Sequence, residues 1–200
     1  MLFSILEETQ ATSSKLFLTS TDHSNYRYTI YPEYKANRKQ PKPKHYQFIR
    51  DYLVSEYNAE IIYEEEADDA LGYNQTEETV ICSIDKDLLM IPGKHYNFVK
   101  KEFYNISKQQ GRYNFYWQLL NGDIGDNIPG CPGIGPKTIE KLIHSDMLEE
   151  ELYYEVWNIY RKQYEKKNLN NFEKDMLRNG QLLKIKQEKD EPLWQFPAYS

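Results

Sequence analysis

The sequence predicts an α/β protein, with a parallel-sheet core in the front half and a helical region behind it. Three observations carry that expectation. Short apolar runs at 15–19, 59–63 and 79–84 have the length of buried strands and are bounded by polar residues. Segments between them place apolar residues at helical spacing, and strands alternating with helices are the pattern of a parallel sheet. Beyond residue 110 the spacing turns helical almost throughout.

Taken in order, residues 2–10 read as a short helix and Lys15-Leu16-Phe17-Leu18-Thr19 as the first strand. Asn25 to Tyr31 alternates and is rich in aromatic and β-branched residues, so it reads as extended. After Pro41 and Pro43, the spacing of His45, Phe48, Ile49, Tyr52 and Leu53 predicts a helix that ends near Asn58. Strands at 59–63 and 79–84 flank a short helix from Asp68 to Gly72. Helices are expected again at 113–120, at 138–143 and over most of 147–178, with Gly180 ending the last. The expected division is therefore 1–110 for the α/β core and 111–200 for the helical region.

A chain of 200 residues, 40% hydrophobic and 28% charged, can bury one full core with a small appendage. The N-terminus has neither a basic n-region nor a sustained apolar run, which excludes a secretory signal or membrane span there and points to the cytoplasm. Cys82 and Cys131 have no partners at metal-binding spacing and read as reduced, structural thiols. A net charge of -6 and a pI near 5.3 argue against a non-specific nucleic-acid binder. The distribution argues the other way: the segment 35–50 holds Lys35, Arg38, Lys39, Lys42, Lys44 and Arg50 and no acid.

Acids gather elsewhere. Glu66, Asp68 and Asp69 follow one predicted strand, Asp85 and Asp87 end the next, and Asp123 and Asp126 sit in a Gly-containing turn. Ligands of such sheets bind outside the carboxyl ends of the strands. Carboxylates sharing a crevice there repel one another unless cations bind among them. An all-oxygen donor set selects Mg²⁺ or Mn²⁺. Two such ions about 3.5 to 4 Å apart can activate water and stabilise both oxygens of phosphodiester cleavage. The alternative for any single pair is a solvated helix N-terminus, where acids favour the dipole, and this is the better reading of Glu64 and Glu65. A further motif, Gly130-Cys131-Pro132-Gly133-Ile134-Gly135-Pro136-Lys137-Thr138, is a Gly-rich turn opening into a helix, a grip for a phosphate backbone that needs no base sequence.

Four segments occur in one order: YPEYKANRK at 31–39, EEADDALG at 65–72, SIDKDLLMIPG at 83–93 and NGDIGDNIPGCPGIGPKT at 121–138. Together they resemble the signature segments of the 5′ nuclease superfamily of 5′-3′ exonucleases and flap endonucleases, phage exonucleases and the 5′ nuclease domain of bacterial DNA polymerase I above all. The resemblance covers residues 15–145 and implies a PIN-like parallel-sheet core. It implies a two-metal hydrolase acting on DNA with a 5′ end or flap, in phage replication or host DNA breakdown. Glu66, Asp68, Asp69, Asp85 and Asp87 would form the tighter Mg²⁺ or Mn²⁺ site, and Asp123 and Asp126 would hold a second ion. Lys35 and Arg38 would engage the scissile phosphate, with Tyr34 stacking on a terminal base or packing. Lys39, Lys42 and Lys44 would touch the DNA backbone. The turn would belong to a helix-hairpin-helix at about 117–145, gripping the duplex through Gly133, Gly135 and Lys137, with K⁺ bridging carbonyls and phosphate.

The sequence departs from that pattern in two places. Superfamily members usually begin with a hydrophobic-Asp-Gly-Asp strand, and Met1 falls after it, which raises a truncated chain, a degenerate gene or a separately encoded N-terminal segment. Asp22 stands a few residues late for another usual acid. A non-catalytic binder of duplex or branched DNA is therefore the rival reading. An RNA-cleaving relative is a third, and the hairpin speaks against it.

Overall fold

Alternating strands and helices appear where the apolar runs placed them, in a computed structural model that describes residues 1–198. The first half runs α1 (Leu2–Thr9), β1 (Phe17–Thr19), α2 (Tyr26–Ile30), α3 (Tyr46–Tyr57), β2 (Glu60–Ile62), α4 (Ala67–Asn74) and β3 (Val80–Cys82). A 3-10 turn over Asp87–Met90 follows, then β4 (Gly93–Asn97) and β5 (Glu102–Ile106). The second half runs α5 (Lys108–Asn121), β6 (Gly122–Asp123), β7 (Ile128–Pro129), α6 (Pro136–Leu142), α7 (Glu149–Lys166) and α8 (Phe172–Leu183).

These elements form two units that interleave along the sequence. The α/β unit comprises Met1–Tyr26, Lys39–Ile106 and Ile185–Glu191; the helical unit comprises Arg27–Arg38, Ser107–Lys184 and the described residues from Pro192 onward.

In the α/β unit, β1 and β2 pair in parallel, Phe17 opposite Glu60 and Thr19 opposite Ile62. A second sheet has β3 parallel to β4 and β4 antiparallel to β5, the latter two closing a hairpin that the strand pattern did not anticipate. Helix α4 packs on β1 and β2. Ile62, Ala70, Ile81, Leu88, Met90, Ile91, Tyr96 and Ile185 are buried in this unit. Helix α4 begins at Glu66, whose backbone N–H donates to the Asp69 side chain at 3.0 Å, one arm of a capping box.

In the helical unit, α5, α7 and α8 pack pairwise. Helix α7 buries Leu152, Val156, Ile159, Tyr160 and Tyr164, one face at helical spacing. Its first turn carries Glu149, Glu150 and Glu151 at the positive end of the dipole, and Glu151 accepts the Leu148 N–H at 2.7 Å. Between α5 and α6 the chain makes the small antiparallel ladder of β6 and β7. Its backbones approach so closely that a Cβ on Gly130 would lie 2.4 Å from the Leu120 carbonyl oxygen. Gly122 adds a positive φ of 71°.

Two expectations are corrected. Residues 26–30, expected to be extended, form the helix α2. Its buried Arg27 donates from Nε to the Leu182 carbonyl at 2.8 Å and from a terminal nitrogen to that of Lys184 at 3.2 Å, satisfying the open end of α8. That tertiary contact outweighs the β-leaning local sequence. Gly180, expected to end the last helix, lies inside α8. A Cβ there would fall 2.1 Å from the Trp194 ring, so the glycine makes room for an aromatic side chain that also packs on Phe115 and Phe196.

Among the described residues no helix is long and apolar enough to cross a membrane. Both cysteines are free, and burial raises both thiols, Cys131 to about 12.

Candidate functional site

Within the α/β unit the acids follow the parallel strands. The chain leaves β2 at Ile62 and enters α4 with Glu66 as N-cap and Asp68 and Asp69 in the first turn. It leaves β3 at Cys82 and reaches Asp85 and Asp87 within five residues, the latter opening the 3-10 turn. Glu66 is buried, Asp68 and Asp87 are half-buried and Asp85 is exposed. The Asp85 N–H donates to the Ser83 hydroxyl at 3.0 Å, and its Oδ1 accepts the Asp87 N–H at 2.9 Å, so a side-chain turn presents both acids.

Asp69 has a different setting from the others. It is fully buried, and while Oδ2 takes the Glu66 N–H, Oδ1 takes the Lys186 N–H at 3.1 Å. Asp22, the late candidate before the basic segment, lies exposed in a turn. Hydrogen bonding with the Ser20 and Ser24 hydroxyls, then the Ser24 N–H, holds its carboxyl at about 2. Among the described residues no group of three or more His, Cys, Asp or Glu side chains gathers at metal-ligating distance.

Within the helical unit, the segment before residue 38 is laced to the turn after β6. Asp123 Oδ1 accepts the Gly125 N–H at 2.7 Å and the Asp126 N–H at 3.3 Å, which closes that turn. Asp126 accepts the Tyr34 hydroxyl at 3.0 Å, lies 3.5 Å from Lys35 Nζ and pairs with the Arg38 guanidinium. Bonds to backbone carbonyls reinforce this: the Lys35 N–H donates to that of Asp126 at 2.9 Å, the Asn127 side-chain amide Nδ2 to that of Glu33 at 2.8 Å and Arg38 Nε to that of Gly125 at 3.2 Å. Lys35 adopts a left-handed φ of 57° here. Lys35 and Arg38 are thus joined through one carboxylate. Tyr34 is 2% exposed and packs edge-on against Tyr28, so it is a packing residue. Sequence reading missed this lacing, whose signal was only the nearness of cations and acids in two separate motifs.

Lys39, Lys42 and Lys44 are exposed in the α/β unit just before α3. Lys42 Nζ sits 4.9 Å from the Tyr46 ring centre and the Arg50 guanidinium 5.6 Å, both within cation–π range. Arg50 also donates to the Thr19 carbonyl at 2.8 Å. In the turn before α6, Gly133 has a φ of 82°, which demands glycine. Gly135 is the N-cap of α6 at an extended φ of -133°, with nothing within 4 Å of a Cβ. Pro136 fills the first helical position and Lys137 is exposed beside it.

Parallel strand pairs followed by helices and acid-bearing turns place the chain in the α/β class. The chain belongs to the 5′-3′ exonuclease family with an N-terminal resolvase-like domain, whose model matches residues 1–115. The fold is that of a solved T5 5′-exonuclease with zinc bound, at TM-score 0.66 and 17% identity, over 91% of this chain and 78% of that one. A 5′-3′ exonuclease of Buchnera aphidicola is 29% identical over 91% of this chain and 72% of its own length. DNA polymerase I of Caldicellulosiruptor bescii is 33% identical over 62% of this chain, which matches only 17% of the polymerase. A flap endonuclease Xni of Shewanella piezotolerans is 27% identical over 71% of this chain and 63% of its own.

Proposed function

We propose that this protein hydrolyses DNA phosphodiester bonds from 5′ ends, as a divalent-metal-dependent 5′-3′ exonuclease that also acts on flaps. The observation that carries the reading is the delivery of Glu66, Asp68, Asp85 and Asp87 within a few residues of the ends of β2 and β3, each a member of a parallel strand pair. Ligands of α/β sheets bind at that end. Family membership and curated relatives named as 5′-3′ exonuclease and flap endonuclease support it.

The donor set fits a hard cation by its chemistry. Every candidate ligand is a carboxylate, and Asp68, Asp85 and Asp87 keep solvent access. Mg²⁺ usually takes only one or two protein carboxylates and retains several waters, so a closed cage is not required. The acids of the α/β unit are assigned one ion and Asp123 and Asp126 a second. Bound there, Mg²⁺ or Mn²⁺ would supply an activated water and neutralise the charge of phosphodiester cleavage. Lys35 and Arg38 are assigned the phosphate, exchanging a carboxylate partner for a phosphate one. Lys39, Lys42 and Lys44 contribute sequence-independent backbone contacts. The turn through Gly133, Gly135 and Lys137 is assigned to a helix-hairpin-helix grip on the duplex, with K⁺ as its bridging ion.

The rival reading, a DNA binder that does not cut, draws on Asp126, whose carboxylate already meets Tyr34, Lys35 and Arg38. One experiment separates the two: a 5′-labelled duplex or flap incubated with Mg²⁺ and either the natural chain or Asp85→Asn. Label released by the natural chain and not by the variant supports the nuclease. Binding without release by both sinks it in favour of the binder.

A further inference from the structure

We infer that Ile185–Gln187, far beyond the residues the family model matches, is a strap that positions the acid-bearing elements of the α/β unit. The inference rests on the metal-dependent reading above and assigns that site residues which touch no reacting atom.

The strap contacts α4 first. The Lys186 N–H donates to Asp69 Oδ1 at 3.1 Å, filling the oxygen that the capping box leaves open. Lys186 Nζ pairs with Glu65 Oε2 at 2.9 Å, and the Tyr73 hydroxyl donates to the other Glu65 oxygen at 2.9 Å. The same ammonium lies 5.3 Å from the centre of the Tyr26 ring. At Gly72 the approach is closer still, since a Cβ there would lie 2.0 Å from the Lys186 carbonyl oxygen. Glycine at this helical position costs about 1 kcal/mol against alanine, and the absence of a Cβ is what lets the strap come this close.

The neighbouring residues hold the other acid-bearing element. The Ile185 N–H points at Met90 Sδ, 3.4 Å away, and Gln187 Nε2 reaches the Met90 carbonyl at 3.5 Å. Met90 ends the 3-10 turn that Asp87 begins, and both Met90 and Ile185 are buried. Three consecutive residues therefore tie the start of α4, with Glu66, Asp68 and Asp69, to the turn with Asp87. Mg²⁺ demands near-ideal octahedral geometry at short distances. The relative placement of two carboxylate-bearing elements then decides affinity, and a rigid tie between them is the means of fixing it.

The test is Mn²⁺ affinity, read from the free-ion EPR signal, in Gly72→Ala, Lys186→Met and Lys186→Arg beside the natural chain, with no DNA present. Gly72→Ala displaces the strap without removing a charge or donor. It should weaken Mn²⁺ binding about 10- to 100-fold, the range for residues that orient metal ligands. Lys186→Met should weaken it in the same direction and Lys186→Arg should restore it. Ile81→Val serves as control: it lowers stability at a buried β3 residue that makes none of the strap's hydrogen bonds or ion pairs and should leave Mn²⁺ affinity unchanged. Variants that stay folded by circular dichroism and bind as the natural chain does would overturn the strap alone. Equal weakening in Ile81→Val would also overturn it, showing general loosening. No Mn²⁺ binding by the natural chain would overturn the metal-site reading and the strap with it.

Discussion

Replacing Tyr34 by phenylalanine removes one oxygen from the lacing that holds Asp126 and leaves the ring in place. The ring is 2% exposed, edge-on to Tyr28 at 5.3 Å, with Lys35 Nζ 4.8 Å from its centre, and none of these contacts needs the hydroxyl. What is lost is the 3.0 Å bond to Asp126 Oδ2. A hydrogen bond to a charged group contributes about 1.5 to 3 kcal/mol. Asp126 keeps Lys35 and Arg38 and is 15% exposed, so the lower part of that range applies, about 1.5 to 2 kcal/mol. At a urea dependence of about 2 kcal/mol per molar, the unfolding midpoint should fall by about 0.8 to 1 M. All three tryptophans, Trp117, Trp157 and Trp194, belong to the helical unit, so their fluorescence follows the transition of the unit that contains Tyr34. A midpoint shift below about 0.2 M would refute the reasoning, because it would mean the hydroxyl gains nothing over its bond to water.

Two further outcomes follow from groups with a defined setting. His95 is buried in β4 with Nε2 2.8 Å from the Ile91 carbonyl, and burial lowers its pKa below the ordinary 6.5. The unfolded chain then takes up this proton first as the solution is acidified. The His95 contribution should be fully present above about pH 6.5 and be lost as pH falls through the lower folded pKa; thermal midpoints from pH 7.5 to 5 test this, and His95→Gln should flatten part of the slope. Gly135→Ala should leave the fold intact, since its φ is extended and a Cβ meets nothing within 4 Å. If a phosphate seats on the α6 N-terminus, the added methyl should cost about 1 kcal/mol, near fivefold in duplex affinity by fluorescence anisotropy; unchanged affinity would remove Gly135 from the DNA contact.

The strands at 17–19, 60–62 and 80–82 were legible because each is a short apolar run whose cause is local. The positions of Glu66, Asp68, Asp69, Asp85 and Asp87 after strands were readable for a related reason, since they follow two of these runs within a few residues, whereas Asp123 ends β6 and Asp126 lies in the turn before β7. Where the cause was distant, local reading failed. The stretch Tyr26–Ile30 carries β-leaning residues, and it is helical in company with Arg27, whose partners are Leu182 and Lys184. Gly180 looks like a breaker to any local rule; its reason is the Trp194 ring fourteen positions later. Lys186 had no motif around it at all. Nor did spacing foretell that Lys35 and Arg38 would meet Asp126, a pairing made across some ninety residues of chain.

The strap has a consequence for the order in which the protein is made. Ile185 leaves the ribosome 79 positions after Ile106, the last residue of the preceding α/β segment. At about 5 to 20 residues per second, that interval is about 4 to 16 s. Throughout it the nascent chain carries Glu66, Asp68, Asp69, Asp85 and Asp87, yet Asp69 lacks the Lys186 N–H and Gly72 lacks the Lys186 carbonyl beside it. Translation therefore delivers these carboxylates well before the segment inferred to brace them, so a chain stalled before Ile185 holds α4 without its Lys186 contacts.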